Sequence, residues 1–495
     1  MKPDVIIIGS GMGGATLAAA LAPSGKRILI LERGERMLDS PASRDAVAIF
    51  RDSHFRPKEQ WLDAAGQGFN PGNYYVAGGN SKMYGAVLIR YRAEDFAPMR
   101  HLGGATPGWP FGYDTLEPYY QQAEAMYQVR GILGQDPSEP AHSGSYSFPP
   151  VPDEPAIADL RARLKRVGMH PASLPLGVDI DRWLAKGQTP WDAFPNTCGG
   201  KMDAETIGLA YALQHPNVTL QTGARVMRLI AGTDGRITGV EVAGQGIVSA
   251  PVVVLCAGAV QSSALLLASA DAANPRGLAN RSDQVGRNFM NHNLSAVLAI
   301  HPFRRNQSIY QKTLMLNDFY LTGGPGDTPL GNIQLLGKIS GPILAADTPI
   351  PGPIAKWIAG HAIDVLAMSE DLPNPESRVT LKGEEIVVDW KRSNWQTHLA
   401  LVAKLKSVLR KAGYPILLSK TFDRRTLSHQ CGTAKMGLDP TASVVGPYGR
   451  THDHANLFIM DASVLPNSAA VNPSLTIAAL ALRLADHLTA TEFAT

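Results

Sequence analysis

Three glycines near the N-terminus have the spacing that phosphate binding requires. In "DVIIIGSGMGGATLAAAL", Gly9, Gly11 and Gly14 follow a short apolar run and precede an Ala- and Leu-rich segment. Glycines at these positions permit a tight turn and let backbone N–H groups approach a pyrophosphate at a helix N-terminus. Glu32 ends the next apolar run, where a carboxylate can accept hydrogen bonds from a ribose. The complete strand–turn–helix–strand–acid unit predicts a dinucleotide site, for either FAD or NAD.

A second stretch that could take part in the chemistry lies near the other end of the chain, in "AAVNPSLTIAALALRLADHL". It is apolar nearly all round apart from Arg483, which predicts a buried helix. Asn472 is predicted to cap this helix and Pro473 to be its first residue, because those residue types favour those positions. A buried helix N-terminus carries partial positive charge, so a negatively charged group is expected to face it.

The strands that must position these two features are spread along the chain. The segment "NVTLQTGARVMRLIAGTDGRITGVEV" predicts short alternating strands with a turn at Thr233-Asp234-Gly235. A continuous apolar strand from Val252 to Leu255 then enters a turn of small residues. A third strand ends at Met460 with Asp461 at its tip. The nucleotide domain is therefore predicted to be discontinuous, with other material inserted.

Whole-chain properties restrict the class of protein. A length of 495 residues predicts two or more domains. A net charge of +3 over this length gives no signature of nucleic-acid binding or of a polybasic membrane patch. His452 and His454 have no further ligands in register, so no metal site is expected and a solvated loop is favoured.

Location is predicted from cysteines and from apolar runs. The three cysteines are odd in number and far apart, which fits a reducing compartment and argues against a disulfide framework. The chain starts directly with a strand-like segment, which leaves no room for a signal peptide. No run approaches the roughly 18 apolar residues of a membrane span. A cytoplasmic location is expected.

Six segments, in order along the chain, resemble the glucose–methanol–choline (GMC) flavin oxidoreductases. The first is the glycine unit with Glu32. The others are "AGGNSKMYGAVLIRYRAEDF" (77–96), "GWPFGYDTLEPYYQQAE" (108–124), "CAGAVQSSALLL" with "VGRNFMNH" (256–267 and 285–292), "SHQCGTAKMG" (428–437) and "DASVLPNSAAVNPSLTIAALA" (461–481). The match covers most of the chain, and its order is more specific than any one segment.

This resemblance implies an α/β fold with two domains. A Rossmann-like FAD-binding domain would be assembled from residues 1–100, 200–295 and 425–495. A substrate domain with an antiparallel sheet flanked by helices would come from 101–199 and 296–424. In agreement with this, "SRVTLKGEEIVVDWKR" predicts two strands around Lys382-Gly383.

The resemblance also implies which residues bind FAD. Carried over residue by residue, they are Gly9, Gly11, Gly14, Glu32, Gly79, Asn80, Ser81, Met83, Tyr84, Gly85, Ala86, Val226, Ala257, Gly258, Asp461, Ala462, Asn472, Pro473 and Ser474. Some family members attach FAD through a histidine in the glycine-rich stretch, but "GGNSKMYGA" contains none, so non-covalent FAD is expected. The family arrangement aims the final helix at the negative charge of reduced flavin.

The family carries a His–His or His–Asn pair that faces flavin N5, and the resemblance places His429 and Asn472 at these two positions. Oxidation of an alcohol removes the hydroxyl proton as a hydride leaves carbon, and an imidazole can accept that proton. Asn472 would orient the hydroxyl by hydrogen bonding. An Asn472 side chain that caps its own helix would, however, not be fully available to a substrate.

The substrate is less determined. Resemblance to bacterial pyranose and glycoside oxidases and sugar dehydrogenases favours a secondary hydroxyl of a sugar or glycoside. A sterol or other apolar alcohol is the alternative, since "PIPGPIAKWIAGHAI" could line an apolar cavity. A lyase of the same family, in which FAD does not turn over, also stays open. A NAD dehydrogenase is disfavoured because it would leave the C-terminal motif unexplained.

Two further points of substrate chemistry stay open. Trp183 and Trp191 could stack on a sugar ring or pack in a core or lid. The electron acceptor could be oxygen, a quinone or a redox protein.

Overall fold

The computed structural model describes residues 2–185, 192–423 and 429–493, so Trp191 lies outside the described residues. The α-helices within these ranges are Met12–Leu21, Tyr113–Met126, Pro155–Arg166, Ile180–Ala185, Ala210–Ala212, Ala259–Ala268, Gly341–Asp347, Gly352–His361, Trp395–Lys411 and Ser474–Thr491. Short 3-10 or π turns are Ala22–Ser24, Pro41–Arg44, Val47–Arg51, Gly79–Lys82, Ala93–Phe96, Ala204–Leu209, Pro325–Asp327 and Ala462–Val464. None of the described helices combines the length and apolar content needed to cross a bilayer.

A parallel sheet carries the nucleotide-type elements. Its strands, in spatial order, are Leu457–Ile459, Val252–Leu255, Val5–Ile8, Ile28–Leu31 and Val218–Gln221. The three central strands, Val252–Leu255, Val5–Ile8 and Ile28–Leu31, consist only of β-branched residues and leucine, as expected for strands that are covered on both faces. The central strand pairs in register on both sides, so that Val5 lies between Ile28 and Val252. Helices Met12–Leu21 and Ser474–Thr491 pack against each other in the same core.

An antiparallel sheet continues the second nucleotide segment. Its strands are Gly246–Val248, Ile237–Val242 and Val226–Ala231, and the last two are joined through the predicted turn at Gly235, which has φ +77°. The strand Val226–Ala231 packs against helix Ala259–Ala268. This places Val226 at the edge of the nucleotide region.

The largest sheet is antiparallel. In spatial order its strands are Ile416–Thr421, Asn293–Ile300, Ala362–Ser369, Asn332–Leu335, Leu314–Leu316 and Ala172–Ser173. Side chains alternate between its two faces. One face, with Val297 and Val365, packs on helices Pro155–Arg166 and Trp395–Lys411. The other face, with Leu298 among its residues, lines a cavity.

Two smaller sheets complete the described strands. The predicted hairpin forms as Arg378–Lys382 and Glu385–Asp389, and it is extended by Trp61–Leu62 and Gly68–Phe69. A two-stranded sheet joins Met99–His101 to Gly104–Thr106. The predicted fold class, a Rossmann-like part with a separate antiparallel sheet, is confirmed, whereas the domain boundaries stay a prediction.

Candidate active site

A cavity of about 1780 Å³ lies between the parallel sheet and the large antiparallel sheet. Its floor includes Gly9, Glu32, Ala257 and Asp461, each directly after or near the carboxyl end of a parallel strand. Ligands of open α/β sheets bind at this edge. Typical small-molecule pockets have volumes of roughly 300–1000 Å³. This cavity can therefore hold a dinucleotide and a second small molecule.

The glycines of the first turn have two different tasks. Gly9 and Gly11 line the cavity, and a Cβ atom added to Gly11 would meet no protein atom within 4 Å. A Cβ atom on Gly14 would instead collide with the carbonyl oxygen of Gly9. Gly11 thus keeps the cavity open at the N-terminus of helix Met12–Leu21, while Gly14 permits the chain to pack behind it.

Glu32 is held by the turn that it faces. Its Oε2 accepts hydrogen bonds from Ser10 N at 3.0 Å and Ser10 Oγ at 2.6 Å, and its Oε1 accepts one from Gly34 N at 2.9 Å. Burial raises the pKa of this carboxyl, and these hydrogen bonds oppose the rise. A carboxylate has about four acceptor positions, so one remains for a ligand hydroxyl.

The other predicted cofactor residues can be placed against the cavity wall. Those that line it are Gly79, Asn80, Ser81, Met83, Tyr84, Gly85, Val226, Ala257, Gly258, Asp461, Ala462, Asn472, Pro473 and Ser474. Gly14 and Ala86 are outside that lining. Ala86 is buried with φ +56° and shapes the loop that carries the lining residues before it.

Asp461 fastens two parts of the cavity floor. Its Oδ2 accepts hydrogen bonds from Gly258 N at 2.9 Å and from Ser262 Oγ at 2.5 Å. Its Oδ1 accepts one from Ser463 N at 2.8 Å. Burial raises its pKa, against the effect of these donors. Asp461 therefore ties the end of one parallel strand to the helix that follows its neighbour.

His429 and Asn472, which the family resemblance implied as the catalytic pair, both line the cavity. Asn472 Nδ2 lies 3.4 Å from His429 Nε2, and Gln334 Nε2 donates to Asn472 Oδ1 at 3.1 Å. The prediction that Asn472 caps the final helix was wrong. The helix begins at Ser474 with Pro473 in the cap position, and the Asn472 side chain bonds across the cavity instead. Its amide is consequently available to orient a substrate.

Sequence reasoning missed His292, which contacts His429 directly. Their Nδ1 atoms are 2.7 Å apart, and the rings meet edge to face with centroids separated by 4.8 Å. His292 Nε2 lies 3.0 Å from Ser468 O and 2.8 Å from Ala469 O. The only sequence signal was its position at the end of "VGRNFMNH", which matches the family motif without indicating a partner.

Both histidines are uncharged at neutral pH. Burial lowers the pKa of His292 to about 4, although its contacts with the two carbonyls act in the opposite direction. The pKa of His429 is well below its usual 6.5, first because of burial and then because of His292 and the Lys312 ammonium. A neutral imidazole beside an amide is able to accept a proton from a bound hydroxyl.

The wall opposite the glycines is mostly apolar with a few polar groups. Aliphatic residues of the large sheet and its neighbours form most of it: Leu294, Ala296, Leu298, Leu336, Ile339, Ile343, Leu344, Ile350, Leu366 and Leu418. Lys312 Nζ and Asp192 Oδ2 form an ion pair of 2.5 Å on this wall, close to Gly85. Gln334 is 1% exposed, and its Oε1 has no hydrogen-bond partner.

Other polar candidates are structural. Trp183 is buried in a core cluster with Phe194 and Ile339, so it packs and does not line the cavity. His454 was expected in a solvated loop, but it is buried and bonds Gly235 O at 2.7 Å through Nδ1. Within the described ranges, no group of three or more His, Cys, Asp or Glu side chains could hold a metal ion.

Comparison with known proteins identifies the family. Two GMC oxidoreductase sequence profiles match residues 75–294 and 373–481, and a profile of the NAD(P)-binding Rossmann-like domain matches 7–42. The chain belongs to the GMC oxidoreductase family. It is 30% identical to 6'''-hydroxyparomomycin C oxidase of Streptomyces lividus, over 98% of this chain and 92% of the relative. It is 29% identical to paromamine 6'-oxidase of Streptomyces fradiae, over 97% of this chain and 90% of that protein.

A solved structure has the same overall fold. The crystal structure of pyridoxine 4-oxidase from Mesorbium loti superimposes with a TM-score of 0.69 and 21% identity, and all of both chains is covered. At that identity the likeness shows the fold alone. Together with the family membership, these comparisons establish this GMC oxidoreductase as an enzyme that acts on CH–OH groups.

Proposed function

We propose that this GMC oxidoreductase binds FAD non-covalently and oxidises a secondary hydroxyl of a sugar or glycoside to a carbonyl, with His429 as the general base. The arrangement that supports this most directly is the His429–Asn472 pair, which lies in one cavity with the glycine turn and Glu32. A dinucleotide site and a proton acceptor within a single cavity fit alcohol oxidation by a redox cofactor.

The residues present fit FAD. Gly11 opens on the cavity at a helix N-terminus, where a pyrophosphate is stabilised by backbone N–H groups and the helix dipole. Glu32 retains acceptor capacity for a ribose hydroxyl. The N-terminal residue of the final helix, Ser474, also lines the cavity, and a helix terminus stabilises nearby negative charge by roughly 0.3–2 kcal/mol. Bound FAD would supply the two-electron acceptor that takes the hydride at N5.

The protein residues supply the proton chemistry. His429 would accept the proton of the substrate's O–H bond, and bound FAD would supply the acceptor for the hydride that leaves carbon as the carbonyl forms. Asn472 orients the hydroxyl, since its amide is held by Gln334 at 3.1 Å and lies beside His429 Nε2. The lowered pKa of His429 keeps its imidazole unprotonated at neutral pH, which is the form that can accept a proton.

Polar groups on the opposite wall support a polyhydroxylated substrate. The Lys312–Asp192 ion pair offers a donor and an acceptor beside Gly85, and buried Gln334 holds an acceptor oxygen without a partner. An apolar alcohol would leave the Gln334 Oε1 without a hydrogen bond, which is costly in a buried site. Two relatives, the 6'''-hydroxyparomomycin C oxidase and the paromamine 6'-oxidase, carry aminoglycoside substrates in their names.

The apolar wall supports a second candidate, a sterol or other apolar alcohol. Aliphatic residues such as Leu298, Ile343 and Leu366 line this wall, and a sugar ring alone would leave them without an apolar partner. A glycoside would use both the polar and the apolar residues of this wall, because its sugar ring can bond the ion pair while another group contacts the aliphatic residues. A lyase activity of the same fold is the third candidate, distinguished by whether flavin changes oxidation state.

The cofactor proposal predicts a yellow protein from which acid denaturation releases intact FAD. Residues 77–86 contain no histidine or cysteine to which a flavin could be attached. The Tyr84 hydroxyl donates a hydrogen bond to Met202 O at 2.6 Å. Absorbance of the supernatant and pellet after acid precipitation gives the result. Flavin that stays with the polypeptide contradicts non-covalent binding, and a protein that binds no FAD contradicts the cofactor assignment.

The substrate proposal predicts that sugars or glycosides bleach the oxidised flavin band when they are mixed with the enzyme anaerobically. Sterols and simple apolar alcohols are expected to act at least tenfold more slowly. An electron acceptor (oxygen, a quinone or a redox protein) should then restore the band. Faster bleaching by sterols would favour the second candidate, and product formation with flavin that never reduces would favour a lyase.

A matched pair of variants tests the polar wall. Lys312→Met is expected to lower kcat/KM for the best sugar about 10–100-fold, mainly through KM, because hydrogen bonds to charged groups are worth about 1.5–3 kcal/mol. Lys338→Met is the control, since Lys338 forms a buried pair with Asp364 outside the cavity lining. Equal effects from the two variants would contradict a substrate role for Lys312.

The cytoplasmic location stays a prediction.

A further inference from the structure

Two distant segments are paired so that His292 faces His429. Met290 and Cys431 exchange backbone hydrogen bonds, with Met290 N donating at 3.0 Å and Cys431 N at 2.9 Å. His429 N also donates to Asn291 Oδ1 at 3.1 Å. These contacts fix the backbone on both sides of the pair, and the Nδ1–Nδ1 distance of 2.7 Å is that of a hydrogen bond.

The hydrogen-bond partners determine where the protons lie. His292 Nε2 faces two carbonyl oxygens, of Ser468 and Ala469, and carbonyls only accept, so Nε2 carries the hydrogen. A neutral imidazole has one N–H, and therefore His292 Nδ1 is an acceptor. His429 Nδ1 must then donate to it. The remaining nitrogen, His429 Nε2, bears a lone pair on the side of Asn472.

We infer that His292 is a positioning residue that fixes His429 in the tautomer whose Nε2 can accept the substrate's hydroxyl proton. This inference rests on the proposed function, in which His429 is the base. When the proton reaches Nε2, His429 becomes a cation and its Nδ1–H still donates to His292 Nδ1. No hydrogen bond of the pair has to break, and the cation is stabilised by a buried acceptor.

The carbonyls that orient His292 are themselves held in place. Ser468 O also accepts a hydrogen bond from Tyr91 OH at 3.0 Å. Ala469 N donates to Glu370 Oε1 at 2.9 Å, and Ala469 has φ +50°, a conformation that a non-glycine residue adopts only when its surroundings impose it. One peptide unit thus connects Glu370 to His292.

Other ionisable groups surround the pair without bonding it. Lys312 faces His429 from the opposite wall, and its positive charge disfavours a second cation there. Glu370, Asp371, Cys431 and Tyr91 lie behind the Ser468–Ala469 loop, and burial raises the pKa of each of them. Any change in a pH profile must therefore be compared between variants that leave all of these groups in place.

Two substitutions of His292 separate the effect of its Nδ1 hydrogen-bond acceptor from the effect of its ring volume. His292→Phe keeps a planar ring but removes both nitrogens, so it is expected to slow flavin reduction about 10–100-fold with little change in KM or FAD content. His292→Asn places a carbonyl oxygen near the position of Nδ1, where it can accept from His429. This variant is expected to recover most of the rate. His398→Phe, a buried histidine that bonds Ser295 and Ser369, is the control for general loss of stability.

A second measurement reads the tautomer without turnover. In ¹⁵N-histidine-labelled holoenzyme, the His429 signals, assigned by their loss in His429→Ala, should show a protonated Nδ1 and an unprotonated Nε2. In His292→Phe the protonated fraction at Nε2 should rise. A wild-type His429 protonated at Nε2 would overturn the inference, even if the His292 variants fail to fold.

The remaining outcomes are equally distinct. A wild-type reduction rate in folded His292→Phe would overturn the inference while leaving the proposed function intact. Equal slowing in the Asn and Phe variants would also overturn it, since the acceptor would then have no role. Loss of the proposed function itself would appear differently, as an unchanged rate in His429→Ala.

Discussion

His429→Ala is expected to reduce its flavin roughly 10²–10⁴-fold more slowly than the wild type, the usual contribution of a positioned general base. The variant should still fold and bind FAD, because the hydrogen bonds of the His429 ring are made with His292 and Asn472 and not with the glycine turn or Glu32. In the wild type, the half-buried ring of His429 lies with Nδ1 2.7 Å from His292 Nδ1 and with Nε2 3.4 Å from Asn472 Nδ2. Removal of this ring therefore affects the catalytic pair first. Anaerobic stopped-flow measurement of flavin reduction at saturating substrate gives the rate.

The pH dependence of this reduction should identify the base. The pKa of His429 is lowered, so the unprotonated form persists as pH falls and is lost only below that lowered pKa. The wild-type rate should therefore be flat from pH 8 to about 6.5, the ordinary histidine value, and should decline only in more acidic solution. His429→Ala should show no such acid limb.

Asn472→Ala is the matched control for His429→Ala. It should also reduce flavin more slowly, since the hydroxyl loses its orienting amide, but the acid limb should remain because an amide does not titrate. An unchanged rate in His429→Ala, or an acid limb that survives in it, would place the base elsewhere in the cavity.

Local signals predicted the nucleotide side of the protein well. The turn from Gly9 to Gly14, the acid Glu32 and the final helix each depend on residues a few positions apart, where spacing and propensity carry the information. The hairpin around Gly383 was predicted for the same reason. Their positions at one cavity follow because the carboxyl ends of parallel strands meet at one edge of a sheet.

Contacts between distant segments could not be predicted in that way. His292 and His429 are 137 residues apart, and Gln334 and Asn472 are 138 apart. Each pair is brought together by strand register in the large sheet or by the backbone pairing at Met290, neither of which leaves a local pattern. For Asn472 the local pattern itself gave a wrong prediction. Its preference for a helix cap was overridden by hydrogen bonds to Gln334 and His429 on other segments.

Gly11→Val is expected to fold but to bind FAD about 100-fold more weakly or not at all. Valine at this position adds a side chain whose Cβ lies in space where no protein atom is within 4 Å, at the place where a pyrophosphate would approach the helix. A 100-fold loss corresponds to about 2.7 kcal/mol, within reach of a blocked contact with backbone N–H groups. The flavin content of the purified protein and titration of the apoprotein with FAD measure the effect.

Gly112→Val is a close control for Gly11→Val. Gly112 is also the cap of a helix and has an extended backbone, and a Cβ atom added to it would meet no protein atom within 4 Å, but it lies outside the cavity lining. Both substitutions replace a cap glycine by valine, so their costs to the helix are similar. Gly14→Val, whose Cβ would collide with Gly9 O, should fail to fold and so separates packing from binding. Full FAD binding by folded Gly11→Val would show that the pyrophosphate does not lie at this turn, and loss of FAD from both cap variants would show that helix stability decides binding.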